Sequence, residues 1–352
     1  MTAAAPSSGL GMPDPAPAPA AGSVVGGWLR RYGVWGALVV VYVVWGSTYL
    51  GIRVVVQEAP PLTSMGLRYL TAGVLLGAIL TTRGGLRRLR LDRRQVFGTA
   101  FLGLMLPMLG NGMVSVGENL GTPSGVTALL IAVAPLLIVV LRTADGDRPR
   151  PLSVAGVLLG FAGLATLVLA GHAAGGFPLL PSLVVVGASC CWAVGSYVQP
   201  RLPLPRDVFV TTVYEMVFGG LILLTVGRLS GEHFTADYGP RTWVALGYLV
   251  VFGSVVAFTS YVWLLANAPI SLVATYAFVN PVVAVFLGWL VLSEPVTVSV
   301  LVGGGVVVLA VALVIRAERP TRQTESAAAE VAVAEVAVTG EPGPALPATD
   351  PA

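Results

Sequence analysis

Apolar residues arrive along this chain in blocks of about twenty, the length that crosses a ~30 Å hydrocarbon core. Pro, Gly or charged residues bound each block, and ten blocks are predicted as helices: roughly 34–56, 61–82, 95–116, 123–141, 151–170, 179–199, 207–227, 242–265, 270–292 and 296–315. The ten-residue stretches of alternating polarity that mark a membrane barrel are absent. In lipid every backbone N–H and C=O needs an internal partner, so these blocks are expected as helices.

Composition agrees. The 352 residues are 55% hydrophobic and 11% charged, with mean hydropathy +0.84, whereas a soluble domain carries about 25% charged residues. All 20 basic residues are Arg, the net charge is +3, and the basic residues sit in short loops, which argues for membrane orientation rather than nucleic acid. Arg30 and Arg31 precede the first block; Arg83, Arg87, Arg88, Arg90, Arg93 and Arg94 follow the second; Arg142, Arg148 and Arg150 follow the fourth. Arg201 and Arg206 follow the sixth, and Arg316, Arg319 and Arg322 follow the last. Loops of the other parity hold Glu58, Glu118, His172 and Glu294, and the seventh-to-eighth loop is mixed. The positive-inside rule then puts both termini in the cytoplasm of a multi-pass protein of the cell (inner or plasma) membrane. An even number of spans gives the termini a common side independently.

Residues 1–33 and 316–352, rich in Ala and Pro, are expected as disordered cytoplasmic tails. The first apolar block is too long for a signal peptide. The adjacent Cys190 and Cys191 point to different helix faces, which argues against a disulfide framework or a metal site.

The two halves of the chain match. Trp45 and Trp192, Arg68 and Glu215, and Gly73 and Gly220 are each 147 residues apart; Pro123 and Pro269, and Pro135 and Pro281, are each 146 apart. Five blocks per half is an odd number, so the second half (179–315) enters the membrane in the opposite sense to the first (34–170). The expected fold is an all-α membrane protein of ten helices in two inverted five-helix repeats. Many transporters use this plan, with a substrate site near the midplane between the repeats.

WGSTYLGIRVVVQEAPPLTSMGLRYLTAGVLL (45–76) and APISLVATYAFVNPVVAVFLGWLVLSEPVT (268–297) resemble the repeat signatures of the EamA family, in the drug/metabolite transporter superfamily. The matching positions include Trp45, Gly46, Ser47, Arg68, Tyr69 and Ser293-Glu294-Pro295, and TPSGVTALLIAVAPLLIVVL (122–141) is similar to its fourth-helix pattern. The resemblance covers about residues 34–315. It implies ten helices around a central cavity, with the fifth and tenth as outer supports. It also implies a secondary transporter, expected to export a small metabolite such as an amino acid or a drug-like compound by alternating access. Two departures stand out: DGDRPRPLS (145–153) replaces the family's Gly-Glu before the fifth helix, and Glu215 is an unusual acid for its helix.

Ionisable groups within a span are functional candidates. Arg68 lies about seven residues inside the second block, roughly 10 Å deep. It organises a cavity or contacts an anionic group; the alternative is that it snorkels to the interface or hydrogen-bonds helix-end carbonyls. Glu215, similarly deep, is a candidate for contact with protons as coupling ion or with a cationic group. Trp45 and Trp192 sit mid-span, where an indole N–H wants a polar partner or a cavity; Ser47, Thr48, Tyr49 and Tyr197 are near them. Pro135 and Pro281 free the carbonyls of Ile131 and Ala277. Tyr276 and Asn280 beside Pro281, and Asn111 in the third block, are either substrate contacts or interhelical hydrogen bonds. The expected partners are the lipid bilayer and a small-molecule substrate. No cofactor is implied, because the chain has no Walker loop and only two His, His172 and His233. A channel or lipid scramblase remains the alternative, with a membrane-embedded enzyme behind it.

Overall fold

The computed structural model describes residues 33–173, 177–268, 270–273 and 275–317. Nearly all of the two expected tails, and Pro269 of the repeat match, lie outside the described residues. Among the described residues nine helices are long and apolar enough to cross a membrane. They are α1 (Gly33–Val56), α2 (Pro61–Thr82), α3 (Arg93–Asn119), α4 (Ser124–Ala144), α5 (Pro151–Ala173), α6 (Leu179–Arg201), α7 (Val208–Leu229), α8 (Pro240–Leu264) and, last in the chain, α10 (Val298–Ala317). Between α8 and α10 lies α9 (Tyr276–Leu292), 17 residues long, with a short turn at Ile270–Val273 before it.

The predicted blocks become these helices, with two informative differences. α3 continues to Asn119, so Glu118 belongs to its last turn and not to a loop. α4 is interrupted: its first piece ends at Ile131 and its second begins at Ala134, with Pro135 in the first turn. Proline lacks an N–H and crowds the carbonyl four residues back. That carbonyl, of Ile131, accepts instead from Ser189 Oγ of α6 at 3.3 Å. Pro281 sits inside α9 without ending it. Wider π-helical turns run through Leu104–Gly112 of α3 and Leu249–Val256 of α8, the third helix of each half. Such turns free backbone groups and gather at functional sites.

Helices that are equivalent in the two halves face each other. α2 lies along α7 and α5 along α10. α1 packs on α8 and α9 of the opposite half, just as α6 packs on α3 and α4. Reciprocal contacts of this kind are what a two-fold axis in the membrane plane requires of two oppositely inserted copies. Small residues set the closeness of these seams. A Cβ on Gly220 of α7 would lie 2.6 Å from the Leu70 amide nitrogen and 3.0 Å from the Gly66 carbonyl of α2. On α5, a Cβ on Gly163 would lie 3.0 Å from the Val307 nitrogen and 3.1 Å from the Gly303 carbonyl of α10.

Two ends can be told apart. The α2–α3, α4–α5 and α6–α7 loops form an arginine-rich end, and the loops of the other parity form an acidic end. The largest buried cluster, including Ile52, Val55, Met65, Leu130 and Leu223, fills the bundle toward the acidic end. Outward faces carry exposed Leu158, Val282, Phe286, Trp289 and Val302, as a lipid-facing surface does.

Candidate functional site

A cavity of about 330 Å³ lies between the two halves, within the range of small-molecule pockets. Every helix lines it except α5 and α10. It runs from Tyr49 and Val114 near mid-bundle to Gln199 and Val208 at the arginine-rich end.

Arg68 is 4% exposed and points across the bundle toward α8, away from any interface. Its Nε donates to Ser254 Oγ at 3.0 Å, and its guanidinium carbon lies 4.8 Å from the Tyr69 ring centroid. Gly253, in the π-helical part of α8, leaves room for it: a Cβ there would lie 3.3 Å from Arg68 Nη2. Arg68 forms no ion pair among the described residues. Glu215 lines the same cavity from α7 and does not pair with it. The cavity therefore holds a guanidinium and a carboxyl group with neither neutralised by the other, in surroundings where an unpaired charge is costly.

Aromatic rings and small or aliphatic residues share the rest of the wall. Trp45 Nε1 donates to the Gly253 carbonyl at 3.2 Å, and its ring lies 5.0 Å from Tyr261 and 5.3 Å from Tyr276. Trp192 stands on the other half, seated on Gly110 of α3, where a Cβ would meet its ring at 2.8 Å. Thr48 donates to the Trp45 carbonyl. Asn280, oriented to satisfy its amide, donates to the carbonyls of Tyr276 (3.3 Å) and Tyr42 (3.2 Å), so it also ties α9 to α1. Tyr49 and Asn111 line the cavity and form no side-chain hydrogen bond among the described residues.

Two sequence candidates stand apart from the cavity. Ser47 Oγ meets Tyr248 Oη at 2.6 Å and the Val44 carbonyl at 2.8 Å, joining α1 to α8. Tyr197 donates to Asp145 at the arginine-rich surface, beneath the stacked Arg201 guanidinium. Sequence reasoning also passed over Arg53 of α1 and placed Glu118 in a loop. The available signal was a charge inside an apolar block, and for Arg53 it was visible.

The acidic end is held shut by three carboxylates, each capping a helix of the opposite half. Glu58 accepts from the Gly239 amide (3.0 Å) and Thr242 Oγ1 (2.6 Å) at the start of α8. Glu232 accepts from the amides of Leu62 (3.1 Å) and Thr63 (2.7 Å) and from Thr63 Oγ1 (2.7 Å) at the start of α2. Glu294 accepts from Ser124 N (2.8 Å), Ser124 Oγ (2.9 Å) and Gly125 N (3.2 Å) at the start of α4. Unsatisfied N–H groups and the helix dipole make these termini good anion sites. The Thr242 hydroxyl and Gly239 amide, with Arg241 nearby, hold the Glu58 carboxyl below its ordinary range. Glycines make the room: a Cβ on Gly227 would lie 2.8 Å from Glu232 Oε2, and one on Gly288 would collide with Glu294. Ser293, at the left-handed φ of 53°, turns the chain out of α9 and aims Glu294 at α4. Asp147, 147 residues before Glu294, pairs instead with Arg142 of its own half at the arginine-rich end.

A profile described as the EamA-like transporter family matches the chain twice, over residues 32–169 and 179–316. The uncharacterized inner membrane transporter YedA of Escherichia coli (strain K12) is 38% identical over 281 residues, 80% of this chain and 90% of that protein. The uncharacterized transporter YvbV of Bacillus subtilis (strain 168) is 26% identical over 278 residues, 77% of this chain and 88% of that protein. A solved crystal structure superposes with a TM-score of 0.57 at 20% identity, covering 82% of this chain and 99% of the other. That last likeness concerns the fold alone.

Proposed function

The chain belongs to the EamA-like transporter family, and from that premise we propose that it is a secondary transporter working by alternating access around the central cavity. Its cargo is a small metabolite, an amino acid or a drug-like compound, moved outward across the cell membrane. Both termini face the cytoplasm, as the arginine-rich loops imply. The observation that carries the reading is the cavity itself, with an unpaired guanidinium and carboxyl group set in an aromatic wall between inverted halves. Arg68 is suited to a carboxylate or another anionic group. Glu215 is suited to an ammonium group or a coupling proton, and the Trp45–Tyr261–Tyr276 cluster to an apolar or aromatic body. A zwitterion with an apolar or aromatic side chain meets all three.

In this arrangement the cavity reaches the arginine-rich, cytoplasmic end, while the three carboxylate caps hold the outer end together. Such a state loads cargo from inside. Releasing it outward requires the caps to part, and because each joins opposite halves, rocking one repeat against the other parts them together. A channel needs a path through both ends at once, which the capped end opposes. The reading is tested by overexpressing the protein and Arg68→Ala in intact cells and profiling small metabolites inside and outside. One compound class should leave cells with the parent and not with Arg68→Ala; identical profiles for the two would refute the reading.

A further inference from the structure

Glu118 takes no part in the cavity. It lies in the last turn of α3 at the acidic end with 0% exposure, and neither carboxyl oxygen has a hydrogen-bond partner among the described residues. The helices packed on that turn are α1, α2, α4 and α6. From α1 come Arg53, whose guanidinium donates to the backbone carbonyl of Glu118 itself, and Tyr49. From the α9–α10 loop comes the carboxylate of Glu294, already engaged in capping α4. From α4 comes Thr127, whose hydroxyl lies beside the Glu118 carboxyl but gives its one proton to the Pro123 carbonyl at 3.1 Å. No ionisable side chain of α2 or α6 is among the groups facing it.

We propose that Glu118 is a proton-binding site that controls opening of the outer end. A buried carboxylate with no donor at either oxygen, facing a second carboxylate, is costly. Arg53 offsets part of that, but it forms no ion pair with Glu118 among the described residues. The sealed outer end therefore accommodates the neutral acid and opposes the anion. When the carboxylate caps part, water reaches the end of α3 and Glu118 ionises beside Arg53. Proton binding then favours the sealed state and proton loss the outward-open state, by the linkage that ties any ligand to the conformation it prefers. The site is separate from Glu215, and its occupancy sets which way the cavity faces. The proposal rests on the alternating-access reading, but its test uses protons alone and needs no cargo.

The test is a pair of spin labels at Leu120→Cys and Leu229→Cys, two exposed positions at the acidic end of opposite halves, in a Cys190→Ser, Cys191→Ser background. Distances are read by pulsed electron resonance in reconstituted full-length protein from about pH 5 to about pH 9. The distribution should lengthen as pH rises in the parent. In Glu118→Gln the pH response should be lost and the short distance kept throughout. If Glu118→Gln fails to fold, Glu118→Asp decides, since it keeps a titratable group and should keep the response with a displaced midpoint. A parent distribution indifferent to pH, a Glu118→Gln response equal to the parent's, or an unmoved midpoint in Glu118→Asp overturns the proposal. Metabolite profiles report separately on whether the protein transports at all.

Discussion

Replacing Gly220 with Ala probes the seam on which the inverted arrangement depends. The added methyl would lie 2.6 Å from the Leu70 nitrogen and 3.0 Å from both Leu70 Cα and the Gly66 carbonyl. All three are backbone atoms of α2, so no side-chain rotation relieves the contact and the two helices must move apart. Taken alone, Gly to Ala inside a helix is favourable by about 0.8–1 kcal/mol. Overpacking a tight contact costs about 1–3 kcal/mol, and a clash with backbone belongs at the upper end of that range. The net expectation is a loss of about 2 kcal/mol. Gly305→Ala is the control, because its Cβ meets nothing within 4 Å and only the helix gain applies. Thermal unfolding of both variants in the same detergent, followed by intrinsic tryptophan fluorescence, reads the difference. Gly220→Ala should melt several degrees below the parent and Gly305→Ala at or above it. If Gly220→Ala melts as high as Gly305→Ala, α2 and α7 are not in backbone contact and the packing scheme is wrong.

Other consequences are open to measurement. Arg68→Lys keeps the charge but loses the planar Nε donor to Ser254, so apparent cargo affinity should fall about tenfold, a ~1.4 kcal/mol effect; undiminished affinity in reconstituted vesicles would remove Arg68 from the site. Glu294→Gln weakens the cap on α4, so acidic-end positions such as Leu120→Cys should react faster with a membrane-impermeant thiol reagent; an unchanged rate would deny the cap its role. Glu58 has a carboxyl held below its ordinary range, so the stability it contributes is present above the unfolded carboxylate pKa and is lost as pH falls through the folded value. The melting difference between the parent and Glu58→Gln should accordingly shrink on acidification, and a difference that widens toward acid contradicts the assignment. Ser293→Gly removes a strained left-handed residue without touching the Glu294 cap, so it should be neutral or stabilising by up to ~1 kcal/mol in the same melting assay.

Much of the fold was legible because membrane spans obey a coarse rule. Runs of about twenty apolar residues left little choice but helices, and the spacing of Trp45 to Trp192 and Gly73 to Gly220 exposed the duplication. Of the candidate site, Trp45, Thr48, Tyr49, Arg68, Asn111, Trp192, Glu215, Tyr276 and Asn280 meet around one cavity because each sits within a helix that faces the opposite half, Tyr276 at the start of α9. Ser47 was harder to place: it is one residue from Thr48, and at about 100° per residue that is enough to turn it toward Tyr248. Tyr197 lies only five residues beyond Trp192 but more than a turn nearer the surface, where Asp145 claims it. Glu118 was misplaced because a charge near the end of an apolar block reads as loop, and only the packing of four other helices shows that it is buried. The trans caps were invisible for a different reason. Glu58, Glu232 and Glu294 look like solvent-facing loop acids until the helix they cap, about 170 or more residues away, is brought beside them.

Counterflow in proteoliposomes bears most directly on the central claim that one cavity faces the two sides in turn. Vesicles are loaded with an excess of the unlabelled compound that cells lose on overexpression, and entry of the labelled compound is followed from trace external concentration. A carrier with a single alternating site should show transient accumulation above equilibrium, saturation with external concentration, and loss of both in Arg68→Ala. Entry that rises linearly with concentration and ignores what is inside would contradict alternating access.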